Sequence, residues 1–153
     1  MSEFPDLGRR YQPLSWLARR SHGSSLAVLD HWTGRSVFLK ILADDRKHDL
    51  RSVERFLLES AVLRRLAEHQ PCPVVPLLDT GHIDGRPYFT SPLMPGWTLA
   101  EAMRNRPVFQ PRSVLRLIEL ALVRLRDIQA LPKGTQLNLR IELRPNTVRL
   151  TIC

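Results

Sequence analysis

Residues 36–42 read SVFLKIL and residues 54–66 read ERFLLESAVLRRL, and these two stretches decide the fold. The first has strand length and is rich in β-branched, aromatic and aliphatic residues, with one charge, Lys40, set among them. The second carries Phe56, Leu63 and Leu66 at helical spacing, and Glu59 lies in line with them at steps of three and four. A lone charge in apolar surroundings is costly, so each of these two requires a partner. The economical solution is that Lys40 and Glu59 pair with each other and join strand to helix. The reading that stays open beside it lets Lys40 snorkel to water and puts Glu59 at the edge of the apolar stripe.

Upstream, residues 11–17 (YQPLSWL) and 24–30 (SSLAVLD) read as strands separated by a polar, basic turn containing Gly23. The turn HWTGR then leads into SVFLKIL, which predicts an antiparallel meander. Downstream, a polar segment precedes a helix from about Leu50 to Glu68, for which Asp49 or Ser52 is the expected cap. The helix also counts Val53 and Leu57 among its apolar positions. Strand-like VVPLL (74–78) and RPYFTS (86–91) flank Asp84-Gly85, a two-residue hairpin signal that demands positive φ at both positions.

Thr98-Leu99-Ala100-Glu101 has capping-box spacing, predicting a short helix over about 98–106. A longer amphipathic helix is expected over about 112–131, through Val114, Leu117, Ile118, Ala121, Leu125 and Ile128, stopped by Pro132 and Gly134. The tail from Thr135 suggests a loop followed by a short strand. The class is α+β.

The 153 residues fit one structural domain, and 43% hydrophobic with 25% charged residues is ordinary for a globular chain. No apolar run approaches the length that crosses a bilayer, and the start, MSEFPDLGRR, lacks the apolar core of a signal peptide. A cytoplasmic protein that does not engage membranes is the expectation. Cys72 and Cys153 read as free thiols. The five histidines show no ligand spacing, so no metal site is expected. The net charge of +8 is dispersed along the chain, which favours a solvated basic surface over nucleic-acid binding. No G-x-S-x-G elbow or Walker P-loop occurs.

The order of these elements resembles the protein kinase superfamily, in particular bacterial Ser/Thr kinases of the eukaryotic type. VFLKIL (37–42) is similar to the third strand, whose lysine contacts the α- and β-phosphates of ATP. ERFLLESAVLRRL is similar to the C-helix, with Glu59 as the lysine's partner. PVVPLLDTGHIDGRPYF (73–89) resembles the fourth and fifth strands, MPGWTLAEAM (94–103) the hinge and the helix after it, and RIELRPNT (140–147) the catalytic loop. The resemblance covers nearly the whole chain. It implies a kinase-like small lobe over 1–92, built of a five-stranded antiparallel sheet plus the C-helix. Residues 93–153 would then hold the hinge and the first helices of a large lobe, with the catalytic-loop-like segment at 139–148.

Several positions depart from the family pattern. Of the three phosphate-loop glycines, the aligned residues are Ala18, Arg20 and Gly23, and Ser25 stands where a valine covers the adenine. Arg19 and Arg20 bring charge to that loop and also bulk. In the hinge, the carbonyl of Pro92 and the N–H of Met94 fall where adenine is recognised. Glu142 stands at the position of the catalytic aspartate, one methylene longer, and Arg144 replaces the loop lysine. Thr147 replaces the metal-binding asparagine. Read to Cys153, the resemblance stops a few residues later, so the expectation is a large lobe truncated before the metal-binding aspartate.

These departures imply a pseudokinase-like module that requires no cofactor and acts through a protein partner or a second copy, docked on the apolar helix 112–131. The alternative is a nucleotide-binding fragment, a sensor or split kinase completed by another chain. In that case Gly23, Lys40, Glu59, Pro92 and Met94 would form the ATP site, with magnesium not expected. A basic nucleic-acid-associated protein is the third reading.

Overall fold

The computed structural model describes residues 4–68, 75–98, 104, 115, 119, 139–144 and 147–152. The chain divides into two compact units, one of Met1–Arg64 with Pro76–Leu93, the other of Arg65–Val75 with Met94–Cys153.

In the first unit, strands β1 (Tyr11–Arg20), β2 (Gly23–Asp30) and β3 (Arg35–Leu42) form the expected meander. After a single 3-10 turn at Asp44–Arg46 comes helix α1 (Leu50–Ala67), then β4 (Asp79–Ile83) and β5 (Arg86–Pro92). The five strands make one antiparallel sheet in the order β1-β2-β3-β5-β4. Asp49 caps α1 as expected: its carboxylate accepts from the Arg51 N–H at 3.2 Å and from the Ser52 hydroxyl at 2.6 Å. Asp84 and Gly85 turn the β4–β5 hairpin with φ of 49° and 72°, which is the two-residue turn that matches strand twist.

Two boundaries and one burial differ from the sequence reading. Strand β4 begins at Asp79, whereas VVPLL was expected to be the strand. Pro76 has no N–H to give a ladder, and pairing begins where the Leu78 N–H donates to the Thr90 carbonyl at 2.8 Å. Gly23 is the first residue of β2, opposite Arg20, so the turn itself is Ser21-His22. Leu57 is exposed at 44%, because it projects to the flank of α1 away from Phe56 and Leu63, both buried.

Strand alternation sorts the sheet into two unlike faces. Leu26, Val28, Val37, Leu39, Ile41 and Tyr88 point to one face, where they form the core cluster with Leu7 and Tyr11. The N-terminal segment lies on this face, with Phe4 stacked on Trp16 at 5.6 Å between ring centroids. Gly81 is opposite Tyr88 in the ladder, and a Cβ there would meet the Tyr88 ring at 3.0 Å. The same face holds a polar network. Arg10 donates through Nε and Nη2 to the two carboxylate oxygens of Asp30 at 3.0 and 3.1 Å, and through Nη1 to Asp79 at 2.5 Å. Its guanidinium lies over the rings of Tyr11 and Trp32, at 4.8 and 4.1 Å. The Tyr11 and Tyr88 hydroxyls both donate to Asp79, at 3.1 and 3.2 Å.

The second unit contains a three-stranded sheet of β6 (Trp97–Thr98), β7 (Leu139–Arg144) and β8 (Thr147–Ile152), in that order. Thr98 lies in a strand, where the helix expected over about 98–106 was to begin. Arg104 is helical, and the rest of that helix lies outside the described residues. Leu115 and Glu119 are helical, while the remainder of 112–131 also lies outside them. The tail is a β-hairpin where a loop and one short strand were expected. Leu139, Ile141 and Leu143, then Val148, Leu150 and Ile152, alternate with polar residues at the period of two that favours paired strands.

Candidate functional site

On the face of the sheet opposite the core cluster, register sets Ala18, Ser25, Lys40 and Phe89 in one cross-strand row. Two residues along, Arg20, Gly23 and Leu42 form the next row on the same face. Lys40 stands there because β3 alternates: Val37, Leu39 and Ile41 take the core face, and Phe38, Lys40 and Leu42 are left for the other.

Helix α1 supplies the counter-charge. Phe56, Glu59 and Leu63 share one helix face, and Phe56 packs on Phe89 at 5.4 Å between centroids. That contact brings Glu59 over the sheet, where Lys40 Nζ donates to Glu59 Oε1 at 2.6 Å. The side chains are 25% and 14% exposed, so the pair is shielded without being sealed from water. The ammonium also lies 5.9 Å from the Phe56 ring and 5.7 Å from the Phe89 ring. Glu59 uses one of the three N–H donors of Lys40, which leaves donors for an anion approaching from the open side.

Gly23, which the sequence reading aligned with a phosphate-loop glycine, has a reason of its own to be glycine. A Cβ there would sit 2.7 Å from the carbonyl oxygen of Ile41, a backbone contact with no flexible atom to give way. Its presence therefore follows from strand packing and by itself indicates no phosphate cradle. Arg19 and Arg20 occupy opposite faces of β1. The Arg19 guanidinium lies over the Trp16 ring at 4.6 Å, on the core-face side, whereas Arg20 belongs to the row beside Lys40.

The remaining residues singled out from the sequence fall as follows. Pro92 is the last residue of β5, opposite Val37; Met94 follows in the second unit. Glu142 and Arg144 lie on β7, opposite Arg149 and Thr147 of β8 in an unbroken ladder from Leu139↔Ile152 to Arg144↔Thr147. Among the described residues, no group of three or more His, Cys, Asp or Glu could hold a metal ion. No helix among them is long and apolar enough to cross a membrane.

Comparison with known proteins agrees with this geometry. No family model matches the chain. It is 38% identical over 92 residues to the DNA damage-responsive serine/threonine-protein kinase RqkA of Deinococcus radiodurans, a match covering 59% of this chain and 13% of that protein. The fold is similar to the crystal structure of the Mycobacterium tuberculosis PknI kinase domain, a cysteine-to-alanine mutant. That likeness has a TM-score of 0.59 at 23% identity and covers 76% of this chain and 47% of the solved one. The chain thus spans about an eighth of the curated relative and about half of the solved domain. A five-stranded antiparallel sheet with one helix laid on it, similar to that solved domain, gives the first unit the fold of a protein-kinase small lobe.

Proposed function

We propose that this chain is a non-catalytic, kinase-like module that acts by binding, with Lys40–Glu59 as the clamp that holds α1 on the sheet. The observation that carries this reading is the setting of Glu142 and Arg144. Both stand in the continuous β7–β8 ladder, whereas a general base must reach the substrate hydroxyl from a loop that places its carboxylate to within about an ångström. Partner binding through the segment 112–131 is part of the proposal, with a second copy or another protein as occupant. Leu115, on that segment, is 60% exposed.

The test is phosphate incorporation from Mg-ATP into the chain itself and into a generic basic protein substrate, compared with Lys40→Met and Glu142→Gln. Incorporation at background, unchanged by either substitution, is the expected result. Incorporation that falls on Lys40→Met would show a working phosphotransferase and end the proposal.

A second reading has its own support. Lys40 keeps unused donors and a quarter of its side chain in contact with solvent, which suits a nucleotide phosphate bound without transfer.

A further inference from the structure

Opposite the core cluster, one sheet face brings together two cations from separate strands, Arg20 and Lys40, with the hydroxyl-bearing Ser25 between them in the ladder. We propose that Arg20 is a phosphate-binding residue of this face and sets its affinity for a nucleoside triphosphate, replacing with a side chain what a glycine-rich loop does with its backbone. The proposal rests on the nucleotide-binding reading above and names the residue that makes it work.

The charge balance points to Arg20. Lys40 and Glu59 form a close pair whose charges sum to zero, so the pair alone exerts little attraction on an approaching anion. Arg20 is exposed and makes no ion pair among the described residues, so it turns this part of the face net positive. Arg19 cannot substitute for it, because its guanidinium is stacked on Trp16 at the other face.

Spacing fits the ligand class. Arg20 and Lys40 are separated by two strand spacings and two residues of rise, which puts their Cα atoms about 12 Å apart. Both side chains are long enough to close on a phosphate chain between them, Arg with a planar fork suited to two oxygens and Lys as a point charge. Ala18 and Ser25, the small residues in the row of Lys40, leave space on the side toward Arg20.

The experiment is isothermal titration of the chain with ATP, inorganic triphosphate and adenosine, each in EDTA and in magnesium. The variants are Arg20→Ala, Arg20→Lys, Arg20→Gly and, as an opposite-face control, Arg19→Ala. ATP and triphosphate should bind the parent, with adenosine much weaker. Arg20→Ala and Arg20→Gly should each weaken ATP by about tenfold or more, Arg20→Lys should recover most of that loss, and Arg19→Ala should match the parent. Equal affinity of Arg20→Ala and parent for ATP overturns the role of Arg20 and leaves nucleotide binding standing. Tighter binding by Arg20→Gly does the same, since it would show a backbone cradle freed of a bulky side chain. A parent that binds neither ATP nor triphosphate overturns both readings. Triphosphate bound as tightly as ATP supports the site and identifies its ligand as the phosphate chain alone.

Discussion

Asp30→Ala is expected to destabilise the first unit by about 3 kcal/mol or more, because it leaves a shielded guanidinium with half of its partners. Asp30 is 4% exposed and accepts from Arg10 Nε, Arg10 Nη2 and the Trp32 N–H. Those contacts fasten the end of β2 to the segment before β1, and through Arg10 to Asp79 at the start of β4. The effect should appear as a lower urea midpoint with an unchanged slope.

The same contacts make stability depend on pH. The Arg10 hydrogen bonds hold the Asp30 carboxyl below the ordinary carboxylate range, against the opposing effect of burial. A carboxyl whose pKa is lower folded than unfolded stabilises the fold at any pH above its unfolded value, about 4. That contribution is lost as pH falls from there through the lower folded value. The parent should therefore lose stability on acidification below about pH 4 more steeply than Asp30→Asn, which has no carboxyl to titrate.

Glu59→Ala is the second large effect, at about 1–3 kcal/mol, the range for a charge-assisted hydrogen bond lost in a shielded place. Lys40, set near the Phe56 and Phe89 rings, would lose its counter-charge and would have to turn to water. Lys40→Met should cost at least as much as Glu59→Ala, because it leaves the less exposed Glu59 carboxylate without its cation. A cost for Lys40→Met well below that of Glu59→Ala would mean that the stem and not the charge pair holds α1 in place.

The Lys40–Glu59 contact was legible because each charge breaks a strong local pattern, one of period two and one of period 3.6. The Asp84-Gly85 turn was legible because its chemistry is local to two residues. The Arg10–Asp30–Asp79 network was not, since its members are 20 and 69 residues apart and each looks like an ordinary charge at a strand end. Leu7 and Phe4 precede the first strand and carry no periodic signal, although they close the core face of the sheet. The β7–β8 hairpin was only partly legible: the alternation of LRIELR and TVRLTI favours strands, but which strand pairs with which is a non-local choice. Gly23 carries a packing reason that the sequence did not show, since the close approach of the Ile41 carbonyl depends on the β2–β3 register.

A double-mutant cycle on equilibrium unfolding, with Lys40→Met, Glu59→Gln and the double variant, measures the coupling at the centre of this account. Coupling of about 1 kcal/mol or more in favour of the parent pair is the predicted result, from two charges in contact across strand and helix. Additive single-mutant costs, with coupling within about 0.3 kcal/mol of zero, would contradict it.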